Sequence, residues 1–139
     1  MAARRMFEIA IIDSDLFLEM PLTTQCLYFH LSMRADDDGF ISNSKRIQRT
    51  VCASDDDLKI LLAKQFLIPF DSGIVVIRHW KRHNEIKKDR YKPTLYGEEK
   101  ALISIDTNNV YKMDTECIQS SDKMETQVRL GKVSIGKDR

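Results

Sequence analysis

Two helical segments separated by a short break, a short apolar run before them and a compact two-run hairpin after them predict an α+β fold. The order of these pieces is that of a winged helix-turn-helix, with three helices, a two- to three-stranded antiparallel sheet and a C-terminal extension. The chain has 139 residues, 42% of them hydrophobic, enough for one core. The expected organisation is a winged-helix domain over 1–95, an extra hairpin over 96–115 and a flexible tail or linker over 116–139.

The first strong helix runs through "TTQCLYFHLSMRA". Thr23 is the expected N-cap, with Leu22 and Leu27 spaced as a hydrophobic staple. Leu27, Tyr28 and Leu31 recur at helical spacing and form its core face, and "DDDG" at 36–39 stops it. "FIS" is a short strand at most, and "NSKRIQRTV" is a short helix with Asn43 as cap. Ile47 and Val51 face its core, which leaves Lys45, Arg46, Gln48 and Arg49 for solvent or a partner.

The best helix start is "SDDDLKILLAKQ", where Ser54 as N-cap and Asp57 three residues on make a capping-box pattern. Leu58, Leu61 and Leu62 supply the buried face. "FLIPFDSGIVVIRHW" then reads as two β-rich runs turning at Asp71-Ser72-Gly73. Pro69 has no N–H to donate, so its strand belongs at a sheet edge. Trp80, directly after "IVVIRH", is expected to close the hairpin from the core side. "ALISIDTNNVYKMD" suggests a second hairpin turning at Asn108-Asn109. From about Glu116 the chain is polar, and "RLGKV" and "SIGKD" repeat a Gly-Lys unit that Arg139 would open again, which suggests a longer parent protein.

Charge is unevenly placed. The stretch "HWKRHNEIKKDRYKP" carries Lys81, Arg82, Lys87, Lys88, Arg90 and Lys92 against Glu85 and Asp89, while the whole chain nets only +1. A nucleic-acid duplex is gripped by locally grouped cations whatever the total charge, because counterions are released locally. Lys45, Arg46 and Arg49 form a second cluster, expected to share a face with Arg78, Lys81 and Arg82. These residues, with Lys59 and Lys64 in minor contacts, are the candidate DNA-binding set. Asp55, Asp56 and Asp57 favour the dipole of their helix but would repel phosphates. That helix is therefore either drawn back from the DNA or turned towards a protein partner. Tyr91 is the more open aromatic of the segment, although packing is its expected role.

Other chemistries fail on context. "RLGKVS" lacks the upstream glycine of a phosphate-binding loop and has Val133 where Ser or Thr must hold magnesium. "RADDDGF" aligned as a calcium loop puts Arg34 and Lys45 at ligand positions. His79 and His83 have a metal-like spacing without matching ligands, and "HWKRHN" lacks the separate elements of an HNH nuclease. Neither enzyme nor cofactor nor metal is expected. Cys26, Cys52 and Cys117 make no paired framework and are read as buried or half-buried thiols. No apolar run reaches the roughly 18 residues of a membrane span, and the N-terminus lacks a signal peptide's apolar core. The expected location is cytoplasmic, with no membrane partner.

From about Ile11 to Leu95 the sequence resembles the N-terminal winged-helix domain of phage replication proteins of the replisome-organiser, DnaD-like type. The resemblance is carried by "IIDSDLFLEMPLTTQCLYFHLSMRADDDGF", "KRIQRTVCASDDDLKILLAKQFLIPFDSGIVVIRHWKRHN" and "KDRYKPT". It implies a DNA-binding module of replication initiation in a bacterial host cell, a helicase or helicase loader as partner, and a homo-oligomeric state. A winged-helix protein-interaction or oligomerisation module and a phage transcriptional regulator are the alternatives.

Overall fold

In a computed structural model, residues 4–114 are described. The architecture is mixed α+β. Among the described residues it comprises seven helices, a three-stranded antiparallel sheet and a separate two-stranded hairpin. Two single-turn helices, α1 (Ile9–Ile12) and α2 (Asp15–Leu18), lead into α3 (Leu22–Arg34). Strand β1 (Phe40–Ile41), helices α4 (Ser44–Thr50) and α5 (Asp55–Ala63), and strands β2 (Leu67–Pro69) and β3 (Val75–Ile77) follow. The described residues close with α6 (Trp80–His83), α7 (Gly97–Lys100), β4 (Ile103–Ile105) and β5 (Tyr111–Met113).

Helix α3 buries Leu27, Tyr28 and Leu31 completely, at the spacing read from the sequence. Its start differs from expectation. Pro21, with φ of −54°, holds the N-cap position, and Leu22 is 81% exposed and staples nothing. The Thr23 hydroxyl does not cap its own helix because Asp57 claims it: Thr23 and Thr24 both donate to Asp57 Oδ1, at 2.9 and 2.7 Å. Asn43 stands at the N-cap of α4 without a side-chain cap bond. At α5 the capping box is complete, with Asp57 N donating to Ser54 Oγ and Ser54 N donating to Asp57 Oδ2.

The sheet order is β1-β3-β2, all antiparallel, with Ile68 opposite Val76 and Pro69 opposite Val75. Pro69 is thus on an outer strand, where its missing N–H costs no ladder bond. Val75, Val76 and Ile77 of the central strand are all buried. Against them packs a core that includes Phe17, Leu61, Phe66 and Trp80. Truncating Leu27, Leu31 or Leu61 to Ala would cost about 2–5 kcal/mol by transfer and cavity terms. Cys26 and Cys52 are exposed, contrary to the sequence reading, since Cys26 lies off the apolar face of α3 and Cys52 adopts a left-handed turn, φ 64°, after α4.

The second hairpin, β4 with β5, turns at Asn109 in the left-handed region, φ 61°. Asp106 Oδ1 accepts from the N–H groups of Asn108 and Val110, which holds its carboxyl below the usual range. Tyr111 anchors this hairpin: it is buried, its N–H donates to Arg78 O, and its hydroxyl donates to Asp38 O. The Gly-Lys repeat and Cys117 lie outside the described residues.

Candidate nucleic-acid interface

The candidate interface is organised around the turn Asp36–Gly39, whose buried carboxylates hold the basic segment to the body of the fold. Asp36 Oδ1 accepts from the N–H groups of Asp38 and Phe40, and Oδ2 accepts from the Thr94 hydroxyl. Asp37 pairs with Arg5 at 3.4 Å and accepts from Lys92 N at 3.0 Å. Asp38, fully buried, accepts from the Tyr91 hydroxyl at 2.7 Å and from Thr94 N at 3.0 Å, and lies 3.3 Å from Lys100 Nζ. Burial alone would raise its carboxyl, but these donors and the Lys100 charge together hold it below the usual range.

Gly39 makes this turn possible. Its φ is +91°, and a Cβ there would come within 2.6 Å of the Trp80 ring. Trp80 in turn donates its indole N–H to Asp37 O. The backbone of 91–94 is therefore pinned to residues 36–38, and the chain between Asn84 and Tyr91 is held at both ends.

The other end is fixed by α6 and the N-terminal segment. Asn84 Oδ1 accepts from Met6 N at 2.8 Å, and His83 Nδ1 accepts from Glu8 N at 2.9 Å. With Nδ1 accepting, the neutral imidazole carries its hydrogen on Nε2, 2.6 Å from the Tyr28 hydroxyl. Burial lowers His83 to about 4, with the neighbouring His79 and Arg82 adding to the effect, so the ring is neutral near pH 7. Burial likewise pushes the Tyr28 phenol up. Both ring nitrogens of His83 are occupied by protein groups, and no cluster of three metal-ligating side chains exists among the described residues.

The twelve candidate cations divide into four sets. Lys45, Arg46 and Arg49 on α4, and Lys87, Lys88, Arg90 and Lys92 beyond α6, are exposed and make no ion pair with a described residue. Lys81 and Arg82 are half-buried and carboxylate-bound, Lys81 to Asp38 at 3.6 Å and Arg82 to Glu8 at 2.9 Å. Lys81 also stands over the Tyr91 ring at 5.8 Å, which gives Tyr91 a packing role. Arg78 lies elsewhere, in a cleft shared with Gln65, Tyr111 and Lys112. On α5, Lys59 is exposed and Lys64 is the half-buried C-cap.

One cleft lies between the end of the basic segment at Lys92 and the residues that precede α4. It encloses about 210 Å³ between Arg34, Ser42 and Asn43 on one side and Lys92, Pro93 and Tyr96 on the other. Lys92 thereby lies beside the chain entering α4, immediately before Lys45 and Arg46. Arg34 was missed in the sequence because it stands apart from both basic clusters. In the fold it bonds the carbonyl of His30, and the aspartates at 36–38 are spent on the turn and the 91–94 segment. Lys100 was missed because nothing local marks it as the partner of Asp38, 62 residues earlier.

At the acidic start of α5, Asp57 is buried and holds three hydroxyl or amide donors, while Asp55 and Asp56 are exposed. Burial alone would raise Asp57, but the Thr24, Ser54 and Thr23 donors hold it below the usual range. Comparison with protein-family models, with curated proteins and with solved structures finds no match. No helix among the described residues is long and apolar enough to cross a membrane.

Proposed function

We propose that the chain is a DNA-binding module, with a winged helix-turn-helix as its architecture, serving phage replication initiation. The observation that carries the reading is the cleft that sets Lys92 beside the entry to α4. The cleft brings Lys92, of one run of exposed cations, next to Asn43, which stands just before the other run, and neither run is ion-paired with a described residue. Lys45, Arg46, Arg49, Lys87, Lys88, Arg90 and Lys92 neutralise phosphates, while Lys81 and Arg82 chiefly hold the segment in place. The helix, strand, helix, helix, hairpin order supports the architecture. The replication role, a helicase or helicase loader as partner, a homo-oligomer and a cytoplasmic location in a bacterial host rest on the sequence resemblance. The proposed role is binding, without catalysis.

Titration of duplex DNA against salt tests the reading. Phosphate contacts give a slope in log affinity against log salt of about −0.9 per contact. Replacing Lys87, Lys88, Arg90 and Lys92 together by Ala should lower its magnitude by about 3 to 4. An unchanged slope removes these residues from the interface. Absence of duplex binding by the unaltered chain refutes the reading, and recovery of promoter operators instead of a replication origin would make the module a regulator.

A further inference from the structure

A second cavity, of about 510 Å³, opens beside α6 and is distinct from the cleft at Lys92. Its size is within the range of about 300–1,000 Å³ typical of small-ligand sites. Met6, Ile86 and the half-exposed Ile105 give it apolar walls. Lys81 and Arg82 line it too, and each retains donors beyond its one carboxylate partner.

Asn84 supplies an independent sign of a ligand. It is 7% exposed and lines this cavity, and its Oδ1 is taken by Met6 N, yet its amide nitrogen is buried with no hydrogen-bond partner. A buried donor left unmade costs about 1–3 kcal/mol, so such a group ordinarily has a purpose. Glu85 and Asn109 add acceptor capacity at the same cavity. Apolar faces, an edge that both donates and accepts, and a phosphate are together the chemistry of a nucleotide.

We propose that this cavity receives one unpaired nucleotide of a single-stranded nucleic acid. Its phosphate lies at Lys81 and Arg82, its base lies against Ile86 and Ile105, and the Asn84 side chain shifts on binding so that its buried Nδ2 donates to the base edge. The inference rests on the proposed nucleic-acid binding and adds to it a site for a strand that is not base-paired.

Fluorescence anisotropy of a labelled oligothymidylate of about 12 nucleotides, beside a mixed-sequence duplex, tests it on the whole chain. Asn84→Asp keeps the acceptor for Met6 N and replaces the free donor by a carboxylate. Ile105→Glu puts a carboxylate at the exposed wall without touching the core. Leu22→Glu, on an exposed residue that lines neither this cavity nor the cleft at Lys92, controls for the charge change. Both cavity variants should weaken oligothymidylate binding about tenfold, a change of about 1.4 kcal/mol. Duplex affinity and the Leu22→Glu control should stay within about twofold, a change worth less than 0.5 kcal/mol.

If Asn84→Asp fails to fold, judged by circular dichroism, Ile105→Glu decides. Oligothymidylate binding unchanged in Ile105→Glu, or weakened equally in Leu22→Glu, overturns the site. So does duplex binding without any oligothymidylate binding, which leaves the proposed function standing. Binding of neither nucleic acid refutes the proposed function and the site with it.

Discussion

The chain contains the triplet Asp-Asp-Asp twice, at 36–38 and at 55–57, and the two copies have opposite fates. In the first, Asp37 and Asp38 are buried and all three carboxylates bind groups from at least one distant segment. In the second, Asp55 and Asp56 remain exposed and only Asp57 is drawn in, by Ser54 beside it and by the two threonines of α3. The first triplet is a tertiary junction, the second a helix cap. Identical residues thus do different work according to how many donors the rest of the chain brings to them.

Substitution of the most enclosed carboxylate should have the largest effect. Asp38→Ala leaves the Tyr91 hydroxyl and Thr94 N without their acceptor and Lys100 without its partner, at a cost of about 3–5 kcal/mol in urea unfolding. It should also free the 85–94 segment, seen as faster amide exchange there. A loss below about 1 kcal/mol would show that the junction is dispensable. At the second triplet, Asp57→Ala removes a cap and the acceptor for the buried Thr24 hydroxyl, so about 2–3 kcal/mol is expected by the same measurement.

Acid sharpens the contrast by separating carboxylates from histidines. His83 and His79 titrate near 4 in the fold and near 6.5 when unfolded. Between those values the unfolded chain binds more protons, so stability falls as pH is lowered through that window. His83 alone should cost about 2 kcal/mol between pH 7 and 4.5, and His83→Gln should flatten that part of a thermal-melt profile. Asp38 and Asp57 lie below their unfolded value, so their contribution is present above about pH 4 and is lost only as pH falls through their lower folded values. A profile flat down to pH 4.5 would contradict the burial of His83. The smallest effect belongs to Asp55→Asn with Asp56→Asn, expected to shift stability by less than about 0.5 kcal/mol.

The elements legible in the sequence were those specified locally. The α5 capping box, the apolar face of α3, the edge position of Pro69 and the turn at Asn109 each depend on residues a few positions apart. The Thr23 cap misled because a local preference competed with a distant acceptor, Asp57, and lost. The basic segment was visible as composition, but its division into anchoring and exposed cations was not. That division depends on Glu8 and Asp38 lying next to Arg82 and Lys81.

By itself, then, the sequence determined an α+β chain with α3, α4, α5 and the two hairpins in this order, but not the single-turn helices α1, α2, α6 and α7, because caps, periodicity and turn chemistry act over a few bonds. Only the tertiary structure decided that "DDDG" is a buried hub, that Arg34 and Lys92 share a cleft, and that Asn84 carries an unmatched donor. Burial sets the strength of a carboxylate's or an amide's demand for partners, and burial exists only once segments far apart in the chain have packed together.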